Sequence, residues 1–233
     1  MPAIRKITRL HEWKPKQLLV FAKGATGQKL RIAGTDAFTG GVGTRSTDDV
    51  FGGEALGGDW EAAYESNSVA TVRSKQATVF GGDATRTIIR NTQQAQQDTD
   101  GDLEFEGIFK LKLGAATGMD ARIGLMKTSG SIRSGEEVVL RRDDSDAIDT
   151  WTPTTVKNSA ASTSGAIVIA NDTYFRLKIV LESDIAKFYI NGVLEAVIVT
   201  NLPTDELLKP TMFGDSGAKT DALQAKRVKW NFT

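Results

Sequence analysis

From about Asp48 onward, apolar and polar residues alternate. In YFRLKIVLE (174–182), Phe175, Leu177, Ile179 and Leu181 fall on one side of an extended chain, and Arg176, Lys178 and Glu182 on the other. A period of two with one apolar face describes a strand packed on one side and wet on the other. The short turn Glu182-Ser183-Asp184 leads into a second strand, Ile185–Asn191. Asn191-Gly192, a pair suited to the positive φ values of a two-residue hairpin, then starts a third, Val193–Thr200. The same pattern predicts strands over Val69–Ser74 and Gln76–Phe80, which form a hairpin, and over Thr85–Ile89, Leu103–Leu113, Ala121–Met126, Glu137–Arg142, Gly165–Ala170 and Ala222–Phe232. Helical periodicity is limited to one turn at Thr204–Lys209. Trp230 alternates with Val228 and Phe232 and is assigned to the core. Many strands with glycine turns predict an all-β antiparallel sandwich or barrel.

The first part of the chain differs. Residues 1–23 mix basic and apolar residues, with one expected strand at Gln17–Ala22. Residues 24–58 are Gly-rich, and GGVGTRSTDD (40–49) reads as a flexible or tightly turned connection. The expected organisation is an extended N-terminal arm and linker over residues 1–47, followed by a sandwich over 48–233. Within the sandwich, residues 91–102 read as a polar loop. RRDDSDAID (141–149) reads as an acidic loop closing a hairpin, its charge offset by Arg141 and Arg142.

Composition narrows the function. Lys+Arg and Asp+Glu number 29 each among 233 residues, which argues against a general nucleic-acid binder. Cysteine is absent, so disulfides, thiolate metal sites and a cysteine nucleophile are excluded. Glu12, Lys14 and Lys16 interrupt the N-terminal segment before it reaches the length of a signal peptide. No run approaches the ~18–20 apolar residues of a membrane span. The expectation is a soluble protein made without export and without membrane contact.

The order of elements resembles the concanavalin A-like jelly roll of legume lectins, laminin-G-like modules and many glycanases. Four segments carry the likeness: DDVFGGEALGGDWEAA (48–63), DGDLEFEGIFKLKL (100–113), YFRLKIVLESDIAKFYINGVLEA (174–196), and LPTDELLKPTMFGD (202–215) followed by ALQAKRVKWNF (222–232). The resemblance implies a two-sheet sandwich. It implies no single activity, because the fold hosts lectins, hydrolases and inert structural modules.

Glycanases of this fold carry Glu-x-Asp-x-Glu on one strand, which aims three carboxylates at one sugar bond. Asp102-Leu103-Glu104-Phe105-Glu106 has that spacing. Its strand comes early for the family, and Leu103, Phe105, Phe109 and Leu111 make the opposite face an ordinary core face, so a surface strand is the preferred reading. The single histidine, His11, lies outside the sandwich, and the glycines at 40–43 lack the lysine of a phosphate loop. No catalytic residue is assigned. Asp98, Asp100 and Asp102 in DTDGD alternate around a glycine and are a weak calcium candidate beside the commoner polar turn. No other cofactor is implied. Among the aromatics, Trp151 in DTWTP looks the most loop-like. With Tyr174 and Tyr189 it forms the candidate sugar-stacking set.

A lectin-like fold without a secretion signal or disulfides fits virion proteins of tailed viruses, which fold in the host cytoplasm. The expected function is a non-catalytic capsid decoration, head fibre or tail appendage able to bind host-surface glycans. The arm residues Leu10, Trp13, Leu18, Val20 and Phe21 would anchor it to a major capsid or tail protein, and a homo-oligomer is expected. The alternatives are a carbohydrate-binding module, or a glycoside hydrolase of the same fold.

Overall fold

The computed structural model describes the backbone of the strands within residues 29–91, and then residues 102–113, 118–127, 135–216 and 221–232. Two compact units span Met1–Arg45 and Ser46–Phe232. The first contains a hairpin of β1 (Lys29–Ile32) and β2 (Thr35–Phe38). The anchor residues Leu10, Trp13, Leu18, Val20 and Phe21, and the expected strand Gln17–Ala22, lie outside the described residues.

The second unit is an all-β sandwich of two antiparallel sheets. Its strands are β3 (Arg45–Asp49), β4 (Trp60–Tyr64), β5 (Val69–Arg73), β6 (Gln76–Phe80), β7 (Thr85–Asn91), β8 (Leu103–Lys112), β9 (Met119–Met126), β10 (Glu137–Arg142), β11 (Thr150–Lys157), β12 (Ala160–Thr163), β13 (Ile167–Val168), β14 (Phe175–Leu181), β15 (Ala186–Ile190), β16 (Val193–Ile198), β17 (Lys209–Ser216) and β18 (Ala222–Phe232). One sheet has the order β12-β11-β10-β9-β17-β7-β4, with β13 also on β11. The other runs β16-β15-β14-β8-β18-β6-β5, with β3 also on β18. Among the described residues there is no helix.

The inner faces supply the core. Along β8, Leu103, Phe105, Phe109 and Leu111 point in and are buried, while Glu104, Glu106, Ile108 and Lys110 are half-buried on the outer side. Phe105 and Phe109 stack at 5.9 Å between ring centroids, and Phe109 meets Phe175 at 6.3 Å. Each such fully buried side chain contributes about 1.5–3 kcal/mol over an exposed one. Trp230 is fully buried, as its alternation requires.

Local chemistry sets the hairpins. Asn191 and Gly192 have φ of 52° and 87° and close β15 onto β16. The Asn191 side chain also accepts from the Arg176 amide at 2.9 Å. Glu182 N–H donates to the Ile185 carbonyl at 2.9 Å across the β14–β15 turn. The acidic segment after Arg142 does join paired strands, β10 and β11. Arg141 meets Asp143 at 2.7 Å, whereas Arg142 turns inward to the Met119 carbonyl at 2.7 Å.

Several expectations change. The Gly-rich connection contains a strand, β3, paired with β18. The turn at Thr204–Glu206 is a simple turn closed by Glu206 N–H on the Pro203 carbonyl. Gly165–Ala170 reduces to the two-residue β13. Trp151 belongs to no loop. It points inward from β11, is 1% exposed, and packs on Phe175 at 5.8 Å, so its ring has no face left for a sugar.

Candidate functional site

Tyr174 and Tyr189, unlike Trp151, share the outer face of the sheet that contains β8. Register defines the face in rows. Tyr189 lies opposite Lys178, Lys178 opposite Glu106, and Glu106 opposite Lys229. In the next row toward Tyr174, Arg176 lies opposite Ile108 and Ile108 opposite Arg227. Both tyrosines are half-buried, about 13 Å apart along the strand direction at the usual rise per residue. The face is wet because the charged residues of β8, β14 and β18 alternate with its core residues.

The carboxylate triplet Asp102, Glu104 and Glu106 lies on this face, near Tyr189 and far from the other end. Two of its members are engaged. Lys178 Nζ donates to Glu104 Oε1 at 2.8 Å. Arg176 reaches Glu106 Oε1 through Nε at 2.7 Å and through a terminal nitrogen at 2.6 Å. A substrate would have to displace both cations before either glutamate could act as nucleophile or acid. Asp102 is pushed above the ordinary carboxylate range, first by burial and then by the charges of Glu182 and Glu104, against an opposing pull from Lys187. Glu182 itself is held by the Lys187 ammonium. Asp98 and Asp100 lie outside the described residues. Among the described residues no group of three or more His, Cys, Asp or Glu side chains is placed to hold a metal ion.

The Tyr174 end is different in character. Lys226 Nζ sits 3.7 Å from the centre of the Tyr174 ring and Lys110 Nζ sits 5.0 Å from it. Lys110 also meets Asp172 at 2.9 Å, and this bond holds the Asp172 carboxyl below its ordinary range. Lys226 owes its place to a bulge: the register between β18 and β8 jumps between Ala225 and Arg227. Two consecutive basic residues, Lys226 and Arg227, therefore both face solvent. Gly107 accommodates the close approach. A Cβ there would lie 2.8 Å from the Arg227 carbonyl oxygen and 2.3 Å from the Phe109 ring.

Sequence reasoning missed Lys226 and Arg227. The signal was present: strict alternation after Ala225 would drive Arg227 into the core and turn Val228 and Trp230 out to solvent, and a strand avoids that by adding a residue. It also missed the outer face of the opposite sheet. There Arg122 donates to both carboxylate oxygens of Glu137 at 2.8 Å, and its guanidinium lies 5.6 Å from the Phe213 ring centre. Glu137, Val139, Thr154, Thr211 and Phe213 are all buried on that side, so this part of the sheet is covered on both faces and offers no open platform.

No protein-family model matches the sequence, and no curated protein matches it significantly. Solved structures do match in fold. The carbohydrate recognition domain of Emp47p aligns with a TM-score of 0.60 at 9% identity, over 79% of this chain and 93% of that one. The Bacillus licheniformis β-glucanase aligns with a TM-score of 0.60 at 13% identity, over 79% and 97%. A β-1,3-1,4-glucanase (lichenase) derived from a mouse hindgut metagenome aligns at 0.61 and 9% identity, over 79% and 98%. At these identities the likeness establishes the concanavalin A-like jelly roll.

Proposed function

We propose that this chain is a non-catalytic, lectin-like sandwich that binds carbohydrate on the outer face carrying Tyr174 and Tyr189. The observation that carries the reading is the pairing of two of the triplet's three carboxylates: Glu104 and Glu106 are tied to Lys178 and Arg176. The fold it shares hosts both lectins and glucanases. Here the only described run with the glycanase spacing is spent on cross-strand ion pairs. The test is incubation of the full chain with immobilised polysaccharides. Retention without release of reducing ends is expected. Release that disappears in Glu104→Gln or Glu106→Gln would refute the non-catalytic reading.

We further propose that the sandwich is displayed on a virus particle, with residues 1–47 as its attachment. A lectin-like fold free of cysteine suits assembly in a host cytoplasm, and the division of the chain near Arg45 suits a separate attaching segment. Light scattering and co-sedimentation with particles, for the full chain and for a version lacking residues 1–47, test this. Association that needs residues 1–47 is expected. Two identical monomers that never co-sediment would remove the virion from the proposal.

A further inference from the structure

We propose that the carbohydrate bound on this face is an acidic one, a saccharide bearing carboxylates or sulfates, and that the β18 bulge and its neighbours hold it at the Tyr174 end. This rests on the carbohydrate-binding reading above and adds the ligand's charge and place.

The face is electrically polarised although the chain as a whole is balanced at 29 cations and 29 anions. At one end stand Asp102, Glu104 and Glu182, the two glutamates each held by a lysine, Lys178 and Lys187. At the other stand Lys110, Lys112, Lys226, Arg227 and Arg176, with Lys229 one row away. The carboxylates that meet these cations are Asp172, taken by Lys110, and Glu106, which reaches from the Tyr189 row and is taken by Arg176. Lys112, Lys226 and Lys229 are exposed, and among the described residues none of them forms an ion pair. Their charge is therefore available to a ligand.

Tyr174 organises the cations. With the two distances to its ring centre given above, the ammonium groups of Lys110 and Lys226 are at most about 9 Å apart, held by attraction to the ring's electron-rich face. Lys226, exposed and seated against this ring, presents its charge beside an aromatic surface, which suits an anionic group carried on a sugar ring. A bulge fixed by the Gly107 contact presents Lys226 and Arg227 together, which an unbroken strand cannot do. At the Asp102 end Lys178 and Lys187 are already paired to Glu104 and Glu182, so the chain of an acidic polysaccharide would cross the Tyr174 end rather than run toward Asp102. A nucleic acid is disfavoured because the exposed cations of this face gather at one end rather than along a track.

The experiment measures retention of the full chain in affinity electrophoresis through gels containing polygalacturonate, dextran sulfate, neutral dextran, neutral laminarin or single-stranded DNA. Lys226→Gln and the double variant Lys226→Glu/Arg227→Glu run beside it, each checked for an unchanged melting temperature. The expected result is retention by at least one acidic polysaccharide, weakened by salt, with a loss of about tenfold in affinity for the double variant and a smaller loss for Lys226→Gln. Equal retention of wild type and variants by a neutral glucan would overturn the charge inference and leave the carbohydrate reading standing. Retention by none of the polysaccharides would overturn both. Single-stranded DNA bound as tightly as the acidic polysaccharides would overturn the inference by showing unspecific polyanion affinity.

Discussion

Replacing Trp151 by alanine separates a core residue from a sugar-stacking one. Trp151 is 1% exposed and packs on Phe175, which in turn touches Phe109. A buried tryptophan removes about 150–250 Å² from water, and at about 25 cal/mol per Å² that is about 4–6 kcal/mol. The alanine keeps part of this, and a compact unfolded chain lowers it further. Large aromatics cut back to alanine in cores cost about 3–5 kcal/mol, within reach of the whole stability of a domain at about 5–15 kcal/mol. Trp151→Ala should therefore lower the urea midpoint severely, followed by circular dichroism. Trp151→Phe, which keeps a ring against Phe175, should cost about 1–2 kcal/mol and leave carbohydrate retention of the folded protein intact. A Trp151→Ala variant with an unchanged urea midpoint and abolished retention would show that the ring faces ligand, and the packing argument would be wrong.

Other substitutions probe other parts of the account. Glu137→Met strands Arg122 in a largely buried site and should cost about 3–5 kcal/mol, while Arg122→Met with Glu137→Met should recover much of it; additive losses in denaturant titrations would contradict the pairing. Asp102 has a raised folded-state pKa, so the folded protein holds its proton longer than the unfolded chain does. Its contribution to stability is thus lost as pH rises through and above the ordinary value of 3.8. Asp102→Asn should then raise the melting temperature slightly at pH 7 and leave it unchanged near pH 3, and a lower melting temperature at pH 7 would reverse the sign. Gly107→Ala forces a methyl group toward the Arg227 carbonyl and the Phe109 ring, and should cost about 1–3 kcal/mol while also weakening retention by acidic polysaccharides; unchanged stability and retention would mean that the bulge adapts freely.

The sequence was most legible where alternation was strict. Glu137–Arg142 and Ala222–Phe232 coincide with β10 and β18, and the pairing of β5 with β6 and the run β14-β15-β16 follow the hydrophobic pattern. It was least legible at proline. Pro153 lies inside β11, where the strand's outer edge changes partner from β13 to β12, so its missing N–H falls between two ladders. Pro210 sits near the start of β17, in a stretch paired with β9 before the pairing with β7 begins. Neither strand is among those expected from alternation, and Trp151 looks the most loop-like of the aromatics. Asn158 and Ser159, at φ of 49° and 66°, turn β11 into β12 without glycine, which hid that hairpin too. Of the candidate site, the tyrosines were legible as aromatics of unknown aspect. The ion pairs on Glu104 and Glu106 were not, because their partners come from β14, more than sixty residues later along the chain.

The most direct measurement is a glycan array spanning neutral and acidic saccharides, read with the full-length wild type and with a folded Tyr174→Ala variant. The account predicts binding to a subset of saccharides by the wild type and its loss in the variant, because Tyr174 holds the Lys110 and Lys226 ammonium groups in place. Binding that survives Tyr174→Ala unchanged, or no binding by the wild type to any saccharide, would contradict it.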